Sequence, residues 1–198
     1  MENPVVYSPI DTGKILSDTA TNLIKSATVT GWNRLKKYFK DIDAEESIEL
    51  GTAFNEYIRQ TQEKTSKVKT LIYRKVPKNI YSFYECVGLS LEDRTIDTNS
   101  VKNILDVEKK IVVTGTGGIG KSILMKHLFL STLADTEYIP ILLDLRKFNG
   151  IEIKDISLYQ AVYQSLSDNG FKLADEYYKY SLEQGGYVIL LDGFDEVN

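Results

Sequence analysis

The chain has one cysteine (Cys86), one histidine (His127), one tryptophan and two methionines among its 198 residues. A single cysteine excludes a disulfide framework and favours a reducing interior. One histidine and one distant cysteine leave no ligand set for a structural zinc site. Four prolines and 13 glycines are too few for a collagen-like or low-complexity chain. No run of 18 apolar residues occurs, so no transmembrane helix is expected. The start, Met1-Glu2-Asn3-Pro4, lacks the basic residues and apolar run of a secretory signal. The expected location is the cytoplasm. Net charge is only −4, which gives no general attraction to nucleic acid or an anionic membrane.

What is present is ordinary for a folded chain: 42% hydrophobic and 26% charged residues, in a length able to bury a core. The acidity is local. Residues 1–110 carry 17 basic against 16 acidic side chains, and residues 111–198 carry 7 against 12, so the excess lies in the second part. An acidic block from Asp41 to Glu56 precedes a basic one from Arg59 to Lys78. The basic run is read as a solvated helix face paired with the acidic block, in preference to a nucleic-acid or lipid surface.

The expected fold class is α/β: a partial P-loop NTPase parallel sheet, lacking later strands, preceded by a mainly α-helical region. The expected division is a helical N-terminal region over 1–79, a connector over 80–108, and the first part of a nucleotide-binding domain over 109–198. Residues 1–12 read as an irregular lead and Thr12–Ala27 as weakly helical. Trp32, Leu35, Tyr38 and Phe39 recur at helical spacing and read as a buried stripe. A long helix is expected from about Ala44 to Arg74, stopped by Pro77. Ile80–Leu91 shows no clear period. Ile111-Val112-Val113-Thr114 reads as a buried strand, Ser122–Leu133 as a helix apolar on most sides, and Ile139–Leu145 as a second strand. Two amphipathic helices follow, near 156–166 and 174–181. Gly185-Gly186 ends the second, and Tyr187–Leu191 is a third strand. Alternation of strands and helices predicts a parallel sheet with right-handed crossovers.

Gly115-Thr116-Gly117-Gly118-Ile119-Gly120-Lys121-Ser122 fits G-x-x-x-x-G-K-S/T, between an expected strand and an expected helix. Glycines without Cβ atoms let successive backbone N–H groups point into one concavity, and the helix N-terminus adds its dipole. Lys121 is expected to reach the β and γ phosphates, and the Ser122 hydroxyl to ligate Mg²⁺. The second element is Asp192-Gly193-Phe194-Asp195-Glu196. A carboxylate at the carboxyl end of a buried parallel strand faces the crevice where α/β proteins bind ligands. Asp192 is therefore assigned to Mg²⁺ through its water shell, with Gly193 leaving room beside the metal. Asp195 and Glu196 are assigned to orient or deprotonate the attacking water. Asp144 and Arg146, ending the second strand, are open between this crevice and the plain surface.

These two motifs make residues 111–198 resemble the NACHT family of signal-transduction ATPases. The flanks Lys109-Lys110-Ile111-Val112-Val113 and Ile123-Leu124-Met125-Lys126 are similar in style to bacterial members. The resemblance implies a switch that binds ATP or ADP with Mg²⁺, self-associates through the NTPase domain after an unknown trigger, and in bacterial relatives often serves antiviral defence. In that family a later strand with a polar sensor separates the P-loop strand from the Walker B strand, and a winged helix and repeats follow. The chain ends at Asn198, so the expectation is the first portion of a longer ATPase, weak or inactive alone. Two other readings remain beside it: a different P-loop ATPase such as an AAA+ protein, and a non-hydrolysing interaction module.

His127 reads as a packed or surface helix residue and Cys86 as a buried small apolar one. The absence of Asn-Lys-x-Asp favours adenine over guanine.

Overall fold

The computed structural model describes residues 36–39, 42–69 and 76–196, apart from the side chain of Ile153. The lead over 1–12, the weak helix from Thr12 to Ala27, and Trp32 and Leu35 of the apolar stripe lie outside the described residues. Helices and small sheets are mixed. Helix α1 spans Ala44–Ser66. Strands β1 (Lys67–Val68) and β2 (Lys78–Asn79) pair antiparallel. A hairpin follows, β3 (Gly88–Leu91) and β4 (Arg94–Asp97), then α2 (Val101–Leu105) and α3 (Lys121–Asp135). Strand β5 (Ile139–Asp144) precedes α4 (Leu158–Asp168) and α5 (Asp175–Glu183), and β6 (Tyr187–Asp192) returns beside β5. The β5–β6 pair is parallel, in a register that sets Asp144 opposite Asp192.

The helices start where side chains satisfy their free N–H groups. Asp43 accepts from Glu46 N at 2.9 Å to begin α1, and Ser157 from Gln160 N at 3.3 Å to begin α4. Helix α5 stops at Gly185, whose φ is +71°, with Gly186 N bonded back to Ser181 O at 3.0 Å.

Period-two alternation divides the β5–β6 pair between two layers. Ile139, Ile141 and Leu143 of β5 join Phe54, Tyr57, Ile58, Val162 and Leu166, so one face packs on α1 and α4. Leu142 and Leu190 point the other way, against Phe129 and Leu130 of α3. Phe171 joins the first layer, 5.6 Å from the Phe54 ring and 6.2 Å from that of Phe39. Tyr38 and Phe39, the described members of the stripe, are buried there. Tyrosine hydroxyls fasten the layers: Tyr57 donates to Pro140 O at 2.6 Å, Tyr163 to Leu173 O at 2.8 Å and Tyr178 to Tyr159 O at 2.8 Å. An aromatic body that fills the core while its hydroxyl meets a backbone carbonyl is what a half-polar boundary selects.

Four expectations are corrected. The long helix ends at Ser66 rather than near Arg74, because Lys67 and Val68 leave it to pair with Asn79 and Lys78. The stretch 80–108 contains a hairpin and a helix. Ile111–Thr114 is not a buried strand: Val112 is 82% exposed and Ile111 40%. Among the described residues β6 pairs only with β5, so the 111–114 segment has no ladder partner. Without one, β-branched composition cannot make a strand. Finally, Cys86 is exposed rather than buried. Among the described residues no helix is long and apolar enough to cross a membrane.

Candidate functional site

The glycine-rich loop and the acidic turn after β6 meet at one end of the parallel pair. Gly118 and Gly120 adopt φ of +78° and +104°. A Cβ at either would be strained by this left-handed backbone. The turn they make leads into α3, whose N-cap is Gly120, so no side chain consumes the helix's first free N–H groups. Thr116, Gly117 and Ile119 are exposed.

Packing brings the two segments together. Leu190 lies against Leu124 and Leu128 of α3. Asp192, two residues on and therefore on the same face of the strand, arrives beside the first turn of that helix. Ser122 Oγ donates to Asp192 Oδ1 at 2.9 Å, across 70 residues of sequence. Lys121 Nζ donates to Gly115 O at 2.8 Å and pairs with Asp195 Oδ2 at 3.1 Å. That ammonium holds the Asp195 carboxyl below the usual aspartate range.

Glu196 does not touch Lys121 or Ser122. It faces Arg146, whose Nη1 lies 3.8 Å from Glu196 Oε2. Arg146 also grips Asp144 in fork geometry, Nε to Oδ1 at 2.8 Å and Nη2 to Oδ2 at 2.9 Å. The pairing lowers the Asp144 carboxyl and raises the guanidinium. Asp144 and Arg146 therefore lie beside the acidic turn, with Arg146 exposed. Gly193, at φ +80°, is backed by Arg146: a Cβ there would stand 3.2 Å from Arg146 Cγ. The space beside this glycine is taken by the arginine stem, where the sequence suggested room for a metal.

Ser122 and Asp192 are the residues able to hold a divalent cation. Among the described residues no group of three or more His, Cys, Asp and Glu could hold a metal by themselves. Mg²⁺ makes no such demand, because it keeps several waters and completes its shell from phosphate oxygens.

An apolar groove of about 800 Å³ adjoins the loop. The β3–β4 hairpin, α2 and the 111–114 segment wall it with Leu89, Ile96, Ile104 and Val113, and Ile119–Lys121 of the loop also line it. Sequence reading missed this feature. Its signal was the alternation of Leu89, Leu91 and Ile96 about the Glu92-Asp93 turn, where Glu92 has φ of +51°.

His127 is a packed histidine. Its Nε2 donates to Thr98 O at 2.8 Å, and Tyr81 Oη lies 3.2 Å from Nδ1. Burial lowers its pKa. Cys86 Sγ lies 3.9 Å from the same Nε2. Although the residue is exposed overall, partial burial of the thiol, with Asp97 nearby, pushes its pKa up. An imidazole already donating to a carbonyl beside a raised thiol does not make an activated nucleophile.

Compared with known proteins, the chain matches no family model and is not significantly similar to any curated protein or solved structure.

Proposed function

We propose that this chain carries a Mg²⁺-dependent ATP-binding site and works as a nucleotide-dependent switch of the NACHT type. The observation that carries the reading is the 2.9 Å contact between Ser122 Oγ and Asp192 Oδ1. A hydroxyl at the start of a helix and a carboxylate at the end of a parallel strand are the two groups that hold a phosphate-bound Mg²⁺, the first directly and the second through its water shell. Three further features support it. The loop before α3 has two left-handed glycines and an uncapped helix start, which suits an anion. Among the described residues Lys121 is held by a carbonyl and a largely exposed carboxylate, partners that phosphate oxygens can replace. The adjoining groove offers an apolar wall to a nucleobase.

In this reading Lys121 and the loop amides bind the β and γ phosphates. Ser122 and Asp192 position the cation, and Asp195 and Glu196 orient the attacking water. Exchange of ADP for ATP and self-association complete the switch. The test is equilibrium binding of a fluorescent ATP analogue with and without Mg²⁺. Binding that Mg²⁺ strengthens and Lys121→Ala weakens by about 10- to 100-fold is expected. Failure to bind, or binding indifferent to that substitution, overturns the reading.

A further inference from the structure

We infer that Arg146 is a positioning residue, fixing Glu196 and the Gly193 turn over the phosphate site. The inference rests on the function proposed above, and three observations of the chain carry it. First, Asp144 stands opposite Asp192 in the parallel register, so the ends of β5 and β6 bring two carboxylates side by side. Arg146, two residues past Asp144, brings a cation to these strand ends. Second, the fork grip on Asp144 uses Nε and Nη2. Because the guanidinium is planar, fixing those two nitrogens fixes the third. The third, Nη1, is the one that faces Glu196 Oε2 at 3.8 Å. Third, the aliphatic stem of Arg146 lies on Gly193, where any side chain would meet it at 3.2 Å. The arginine thus touches the acidic turn at both its start and its end.

Arg146 and Glu196 are both about half exposed. A pair this wet adds little to stability, so its effect is directional. The 194–196 turn is a single 3₁₀ turn, tied back by Glu196 N to Gly193 O at 3.1 Å. One turn cannot hold a carboxylate in a chosen direction against solvent. The arginine, anchored to Asp144 at the end of β5, can. Lysine in its place would keep the charge and lose the fork.

The experiment measures ATP hydrolysis and ATP binding by the protein at its native length. Arg146→Ala, Arg146→Lys, Glu196→Gln, the double variant Arg146→Ala/Glu196→Gln and Lys121→Ala are compared with the unaltered protein. Arg146→Ala is expected to lower kcat by about tenfold to a hundredfold, the scale of a misplaced catalytic group, with KM and ATP affinity within about twofold. Arg146→Lys should recover part of the loss. In the Glu196→Gln background Arg146→Ala should cost nothing further, because both act through one carboxylate. Should Arg146→Ala fold poorly, as judged by its melting curve, Arg146→Lys alone decides by its split between kcat and KM. An unchanged kcat, or losses that add to those of Glu196→Gln, overturns the positioning role and leaves the phosphate site standing. Binding indifferent to Lys121→Ala, or no turnover by the unaltered protein, overturns the catalytic reading and this inference with it.

Discussion

Ser122 Oγ and Asp192 Oδ1 lie 2.9 Å apart although 70 residues separate them. The contact follows from apolar packing beneath it. Leu190 seats on Leu124 and Leu128, and the two polar residues ride two positions away on their own elements. Ser122→Ala should therefore leave the fold intact and remove the proposed Mg²⁺ ligand. Mg²⁺ should then change ATP affinity by less than about twofold, against a clear strengthening in the unaltered protein. Titration calorimetry with and without the metal checks this.

Lys121→Ala removes the ammonium that the phosphates would engage. Loss of charge-assisted bonds of this kind corresponds to about a 10- to 100-fold fall in triphosphate affinity. The melting temperature should barely move, since the partner carboxylate is largely exposed. Fluorescent nucleotide binding and a thermal melt on the same sample separate the two effects.

The same substitution has a protonation signature. The Lys121 ammonium lowers the Asp195 carboxyl. In the folded protein its stabilising contribution is present above the unfolded aspartate value and is lost as pH falls through the lowered folded one. Removing the lysine should raise the Asp195 midpoint toward the ordinary aspartate value of about 3.9. A carbon-13 carboxyl titration reads the shift directly.

His127 predicts a loss of stability at mildly acid pH. Burial lowers its folded pKa, so the unfolded chain binds the proton first. The neutral ring's contribution is complete above the unfolded value of about 6.5 and is lost as pH falls through the folded value. As the only histidine in the chain, it should give unfolding free energy a slope of up to about 1.4 kcal/mol per pH unit in that window. His127→Gln should flatten it. Urea unfolding between pH 7.5 and 5 measures both.

Tyr57→Phe tests the tyrosine fastening. It strips the donor from the buried Pro140 carbonyl and leaves the ring in place. The expected cost is about 1–3 kcal/mol, the penalty for an unsatisfied buried acceptor, measured by urea unfolding.

Much of this molecule was legible in order along the chain. The glycine spacing around Lys121 announces its own turn, because only glycine takes the φ values found at 118 and 120. The strands Ile139–Asp144 and Tyr187–Asp192 show as apolar β-rich runs, and the helices after them as periodic faces, because burial on one side imposes those patterns. The described end of α1 and the fate of Ile111–Thr114 were not legible. Both depend on whether a neighbouring strand is present to pair, and pairing is a property of distant residues. The β3–β4 hairpin lay below notice because its alternation is short and its turn, Glu92-Asp93, lacks glycine.

The residue types able to hold a phosphate or a cation are thus a matter of sequence alone: Lys121, Ser122, Asp192 and the acids that follow. Their association is tertiary. It took the seating of Leu190 on α3 to bring Ser122 to Asp192, and the parallel register of Asp144 with Asp192 to bring Arg146 to Glu196. Local chemistry specifies which groups are present. Only the packing of side chains far apart in sequence decides which of them meet, since a contact across 70 residues has no local signature to read.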